Sequence, residues 1–144
     1  MDLETIKFRM NLASSTMATA LRTGMGITAQ PAARKPEILL EIYDIEGSPY
    51  CRLVREALTE LDLDAMIYPC PHGGTRFRPQ AAELGGKRQF PLLVDPNADI
   101  RMYESLDIVE YLFDTYADRS LPIKWRAGTV QLLGSTMTDI SRLG

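Results

Sequence analysis

The sequence predicts an α/β domain: a four-stranded mixed sheet flanked by three helices, with a helical extension ahead of it. Three observations carry that expectation. Short apolar runs alternate with amphipathic segments in the order β-α-β-α-β-β-α. The first two runs are joined through a helix-length segment, which makes them parallel neighbours. The last two are joined only by Asp95-Pro96-Asn97-Ala98-Asp99, a turn-forming stretch that makes them an antiparallel hairpin.

Taken in order, residues 1–36 form the extension. A short helix is expected from Ser14 to Arg22, stopped by Gly24, and a loose Gly/Pro/Ala stretch then leads to Pro36. The run 38–45, rich in Ile, Leu and Tyr, is the first strand. Pro49 to Leu61 is the first long helix, because Val54, Ala57, Leu58 and Leu61 recur at helical spacing. Ala65-Met66-Ile67-Tyr68 is the second strand, ended by Pro69. After a loop from Pro71 through Phe77, a short helix runs from Pro79 to Leu84 and closes at Gly85-Gly86. Residues 90–94 and 100–103 are the third and fourth strands. Ser105 is expected to cap a last helix whose Ile108, Val109, Leu112, Phe113 and Tyr116 share one face.

Arg9, Arg22 and Arg34, with little acid beyond Asp2 and Glu4, give the extension the composition of a targeting peptide. A repeat argues otherwise. Leu12 to Gly24 and Leu132 to Gly144 align at an offset of 120 residues, and six of the thirteen columns are identical. A shared helix grammar of Ser/Thr start, Arg and Gly stop is one explanation. The other is a tandem unit of roughly 120 residues that is beginning again. On that reading residues 1–36 open the first unit, 37–120 are its α/β domain, and 121–144 begin a second one, the chain being a piece of a longer tandem protein.

The bulk numbers exclude several classes. Of 144 residues, 45% are hydrophobic and 24% charged, with a net charge of −3, so neither a nucleic-acid partner nor a disordered chain is indicated. No apolar run reaches the roughly 18 residues a membrane span needs. One histidine and two cysteines do not make a closed metal site, so no metal is expected. Two cysteines do not make a secreted disulfide framework either, which points to a reducing compartment, the cytoplasm or an organellar stroma.

The chemistry is concentrated in Gly47-Ser48-Pro49-Tyr50-Cys51-Arg52, where the first strand meets the first long helix. Ser before Pro is a helix start, with Ser48 as N-cap and Pro49 at the first helical position. A hydroxyl and a thiol thus reach the positive end of a helix, where a thiolate is stabilised. Ser48 reads equally as a cap alone, and Cys51 either as a thiol of depressed pKa or as a small buried residue. His72, in a Pro/Gly loop, carries no chemistry on this pattern. Tyr103, Tyr111, Phe113 and Tyr116 read as packing residues.

Ser48-Pro49-Tyr50-Cys51, the element order, Gln89-Phe90-Pro91-Leu92 and Glu104-Ser105 together resemble the thioredoxin-like fold. More closely, residues 37–118 resemble the N-terminal domain of glutathione transferases and their glutaredoxin relatives. Tyr68-Pro69-Cys70-Pro71 and Arg76-Phe77-Arg78 add a likeness to a subgroup with two such domains in tandem.

That resemblance implies glutathione as substrate, with Ser48 donating a hydrogen bond to its sulfur and Cys51 in the second-cysteine position of a glutaredoxin-like pair. It implies a cis bond before Pro91 and pairing of the Phe90 backbone with the cysteinyl part of glutathione. Glu104 and Ser105 would hold the γ-glutamyl end, Lys87 or Arg88 the glycyl carboxylate, and Tyr50 lies in the same binding set. The expected partners are glutathione and either a second tandem unit or another copy of the chain. Three functions stay open: a glutathione-dependent transferase or thiol-redox enzyme, a binding or assembly module without turnover, and a monothiol oxidoreductase working through Cys51.

Overall fold

A computed structural model describes residues 2–7, 9, 26–123 and 125. The repeat segments 12–24 and 132–144, and the expected helix from Ser14 to Arg22, lie outside them. The elements are β1 (Leu40–Asp44), α1 (Pro49–Glu60), β2 (Ala65–Pro69), α2 (Arg78–Gly85), β3 (Leu92–Asp95), β4 (Ile100–Met102) and α3 (Ser105–Leu112), which runs on into a π-helical turn at Phe113–Ala117. The sheet order is β2-β1-β3-β4. β1 and β2 are parallel, with Ile42 beside Ile67. β3 runs antiparallel to both β1 and β4, with Leu93 beside Ile42 on one side and Met102 on the other. This is the mixed four-stranded sheet expected above.

Strand alternation sends side chains to two cores. Leu40, Ile42 and Leu93 face the helix pair, where Leu53, Val54, Ala57 and Leu58 of α1 meet Ile108, Val109 and Leu112 of α3. Each of the Leu, Ile and Val side chains contributes about 1.5–3 kcal/mol by leaving water. Tyr43, Leu92 and Val94 face the other way, onto Ala81 of α2 and Cys70. There Tyr43 stacks on Tyr68 at 4.7 Å, and Phe77 meets Tyr68 edge-on. The two cysteines belong to opposite sides of the sheet: Cys70 is in the α2 core, whereas Cys51 is on α1. Both are free thiols.

Most element ends shift by a residue or two from the sequence expectation, and four of the shifts have a visible cause. The first strand starts at Leu40 rather than 38, because Asn97 takes the place of a strand partner: its amide accepts from the Ile38 N–H at 2.9 Å and donates to the Ile38 carbonyl at 2.8 Å. The third strand starts at Leu92, since Pro91 has no N–H to give the ladder. Ser105 is not the cap of α3: Glu104 holds that position with φ 68°, and Ser105 is the first helical residue. The regular helix ends at Leu112, one residue before the π-turn carries Tyr116 back to the core.

Residues ahead of β1 lie along the C-terminal end of α1 as a strap. The Gln30 and Ala32 N–H groups donate to the carbonyls of Glu60 and Leu61, and the Arg34 N–H to that of Tyr116. Trp125, fully buried, packs edge-on to Phe113 and donates its indole N–H to Glu60. No helix among the described residues is long and apolar enough to cross a membrane.

Candidate functional site

Sheet register brings three separated segments to one end of the molecule. Leu92 pairs with Tyr43, so Pro91 lies beside the C-terminal end of β1, where the chain turns toward Ser48. Leu93 pairs with Met102, so Tyr103 and Glu104 leave β4 at that same end. Residues 45–51, 89–91 and 103–105 therefore share one edge of the sheet.

The first segment is anchored from below. Asp44, 1% exposed, takes a bidentate grip from Arg55 in the second turn of α1, with Nε to Oδ2 at 2.6 Å and Nη2 to Oδ1 at 3.0 Å. The Asp44 carbonyl also accepts the Cys70 N–H at 2.7 Å. One residue thereby knots β1, α1 and the end of β2, and fixes where the following loop begins. Ser48 is the N-cap of α1, with φ −80° and ψ 127°, and Pro49 follows in the first turn. Its Oγ accepts from the Cys51 N–H at 3.5 Å, the outer limit of a hydrogen bond. A hydroxyl has one donor and two acceptor sites, so capping leaves its proton to be given elsewhere.

Cys51 is fully buried and its Sγ accepts the Ile45 N–H at 3.4 Å. Burial pushes its thiol up to about 12, against the downward pull of the Ile45 and Ser48 hydrogen bonds. At neutral pH it is a protonated, inaccessible thiol. Cys70 is likewise buried and pushed up to about 11 by burial.

In the second segment the Phe90–Pro91 bond is cis. Phe90 is half-buried, with the Arg78 guanidinium 5.0 Å above its ring. That guanidinium is held by the carbonyls of Cys70 and Pro71. In the third segment, Glu104 has left-handed backbone geometry and makes no side-chain cap. The first N–H groups of α3, from Ser105 on, have no intrahelical acceptor and form the positive end of that helix. Ser105 is 5% exposed.

Among known families, the model described as glutathione S-transferase, N-terminal domain matches residues 42–120, more than half of the chain. The chain belongs to that family. No curated protein and no solved structure matches it.

In this transferase N-terminal domain the loop entering Pro91 is gripped twice. The Tyr103 hydroxyl accepts the Lys87 N–H at 3.1 Å and donates to the Lys87 carbonyl at 2.9 Å. Gln89 Nε2 donates to Glu104 Oε1 at 2.8 Å. Lys87 itself is exposed, its Nζ 5.6 Å above the Tyr103 ring, and Arg88 beside it is exposed too. Tyr50 is half-buried in the first turn of α1.

The grouping brings together Ser48, Tyr50, Phe90, Pro91, Glu104 and Ser105, with Cys51 turned inward, while Lys87 and Arg88 lie just outside it on the exposed loop that Tyr103 grips. Three were missed as site residues. In the sequence Gln89 and Arg78 stand only inside the family-like motifs, and Tyr103 has the pattern of a packing residue. The Gly85-Gly86 doublet was the available signal for Tyr103. Gly86 is left-handed at φ 83°, whereas a Cβ on Gly85 would stand 2.1 Å from the Tyr103 oxygen. That glycine is there to let the tyrosine through. Among the described residues no cluster of His, Cys, Asp or Glu could hold a metal. Clefts of about 210 and 470 Å³ open elsewhere, and neither is lined by Ser48, Phe90, Pro91, Glu104 or Ser105.

Proposed function

We propose that the domain binds glutathione along Phe90-Pro91 and activates its thiol at Ser48. The tripeptide lies extended at the sheet's edge, its cysteinyl part against the Phe90 backbone. The γ-glutamyl carboxylate meets the N-terminus of α3 at Ser105, and the α-ammonium group meets Glu104. Lys87 supplies a cation for the glycyl carboxylate, and Tyr50 borders the sulfur end. The Ser48 proton and the positive end of α1 both favour thiolate over thiol, so the bound sulfur becomes the nucleophile for transfer or thiol-redox chemistry.

The observation that carries this reading is the meeting of Ser48, Phe90-Pro91 and Glu104-Ser105 at one end of the sheet, with a hydroxyl proton left to give. The inward, protonated state of Cys51 argues against a monothiol oxidoreductase built on that residue. A binding or assembly module without turnover is the second reading. It is favoured by the position of the two clefts, of about 210 and 470 Å³, neither of which is lined by Ser48, Phe90, Pro91, Glu104 or Ser105 and so neither of which offers an electrophile a place beside the sulfur. A tandem unit or another copy of the chain would supply that place.

Calorimetry with reduced glutathione tests the site. Saturable binding is expected, weakened about tenfold or more by Glu104→Gln, since a hydrogen bond to a charged group contributes about 1.5–3 kcal/mol. An absence of binding at millimolar ligand contradicts the proposal. Turnover with model electrophiles or disulfides then separates enzyme from module.

A further inference from the structure

The contact between Gln89 and Glu104 is not needed to fill a core, and that makes its placement informative. Both side chains are accessible to solvent, where a hydrogen bond adds little to the fold. Yet it joins the loop two residues ahead of Pro91 to a residue held at φ 68°, a backbone conformation that side chains other than glycine rarely adopt. Consecutive residues, Tyr103 and Glu104, grip Lys87 and Gln89 of the facing loop. The Tyr103 contacts are to backbone and fix the loop. The Glu104 contact is side chain to side chain, and what it fixes is a carboxylate.

An ionised carboxylate only accepts, through two oxygens. One amide hydrogen of Gln89 occupies Oε1 at 2.8 Å, which restrains the Glu104 side chain and leaves Oε2 as an open acceptor. An ammonium group is the donor that suits an open, charged acceptor. A restrained carboxylate also gives up less rotamer freedom when it binds. We propose that Gln89 is a positioning residue: by holding Glu104 it makes the domain select peptides carrying the γ-glutamyl α-ammonium group. This rests on the reading of this end of the sheet as the glutathione site.

The test compares reduced glutathione with glutaryl-cysteinylglycine, which lacks only the α-ammonium group, by calorimetry on the 144-residue chain. The unsubstituted protein is expected to prefer glutathione by about tenfold, the value of one charged hydrogen bond. Gln89→Ala is expected to reduce that preference to about two- or threefold by weakening glutathione alone, leaving the analogue's affinity within about twofold. In a Glu104→Gln background the Gln89 substitution is expected to add nothing, because its effect runs through the carboxylate. Gln89→Met keeps the length without the donor and gives the same readout should the alanine variant fail to fold.

A Gln89→Ala protein that keeps the full preference, or weakens both peptides equally, overturns the proposal. An unsubstituted protein that binds glutathione without preferring it to the analogue also overturns it while leaving the glutathione site intact. A protein that binds neither peptide overturns the site itself.

Discussion

Ser48 caps α1, and because a hydroxyl separates accepting from donating, the proposed donation to a bound sulfur does not compete with the cap. The sequence was enough to find it: Ser-Pro at a strand-to-helix junction has few other structural meanings. Cys51 was ambiguous in sequence because spacing places a residue on a helix but does not say how deep that face lies; burial settles its state. Gln89 and Asp95 stand in recognisable motifs, but their contacts were not legible, since each matters through a partner distant in sequence. Asp95 is fully buried at the far end of β3 and accepts the hydroxyls of Tyr111, at 2.8 Å, and Tyr116. Asn97 adds its backbone and side-chain N–H groups.

Burial alone would raise the Asp95 carboxyl, but the bonds from Tyr116, Asn97 and Tyr111 outweigh it and hold it below its ordinary 3.8. Burial, and then the Asp95 carboxylate, push Tyr111 up to about 12 and Tyr116 upward too. A carboxyl depressed in the folded state stabilises fully above its unfolded value, and that stability is lost as pH falls through the folded one. Denaturant melts should therefore show stability falling below about pH 5. Tyr116→Phe should cost about 1.5–3 kcal/mol near pH 7 and flatten the acid limb, because its carboxyl is less depressed. Parallel curves for the two proteins would contradict this role for Asp95.

Elements were legible where periodicity or turn chemistry marks them, and their ends were not. α1 began where Ser-Pro put it, and the β3–β4 hairpin where its Asp/Asn-rich turn put it. The start of β1 shifted because Asn97 acts across the fold, and the cap of α3 because the positive-φ backbone of Glu104 starts the helix one residue earlier. The end of α2 shows the same coupling between elements. Alanine at a helical glycine ordinarily gains up to about 1 kcal/mol. At Gly85 the new methyl meets the Tyr103 oxygen at 2.1 Å and its ring at 2.7 Å, and overpacking of that kind costs about 1–3 kcal/mol. The clash should win. Gly85→Ala is expected to lower stability by about 1–2 kcal/mol in chemical denaturation, and to become neutral or stabilising once Tyr103 is Ala. A stabilising Gly85→Ala in the otherwise unchanged protein would show that Tyr103 does not hold that position.

At the scale of the molecule, the two ends of the sheet divide the work. One end carries the Asp95 network and the strap over α1, which hold the helices to the sheet. The other carries Ser48, Phe90-Pro91 and Glu104-Ser105, set by register and by the Asp44–Arg55 pair. The sequence established only a parallel β1–β2 pair and a β3–β4 hairpin; the antiparallel β1–β3 pairing that sets this division comes from the structure. The linkages that stiffen it were not readable, because hydrogen bonds between distant side chains leave no periodic trace in a sequence.

In the proposed site the Ser48 hydroxyl, at the positive end of α1, holds the sulfur of glutathione as a thiolate. Titrating the ultraviolet thiolate absorbance of glutathione bound to the protein and to Ser48→Ala tests it most directly. The bound thiol is expected to titrate at least about one unit below the roughly 8.5 of a free cysteine, with about one unit regained in Ser48→Ala, each unit being about 1.4 kcal/mol. A bound thiol that titrates as it does in water, or identically in both proteins, would contradict it.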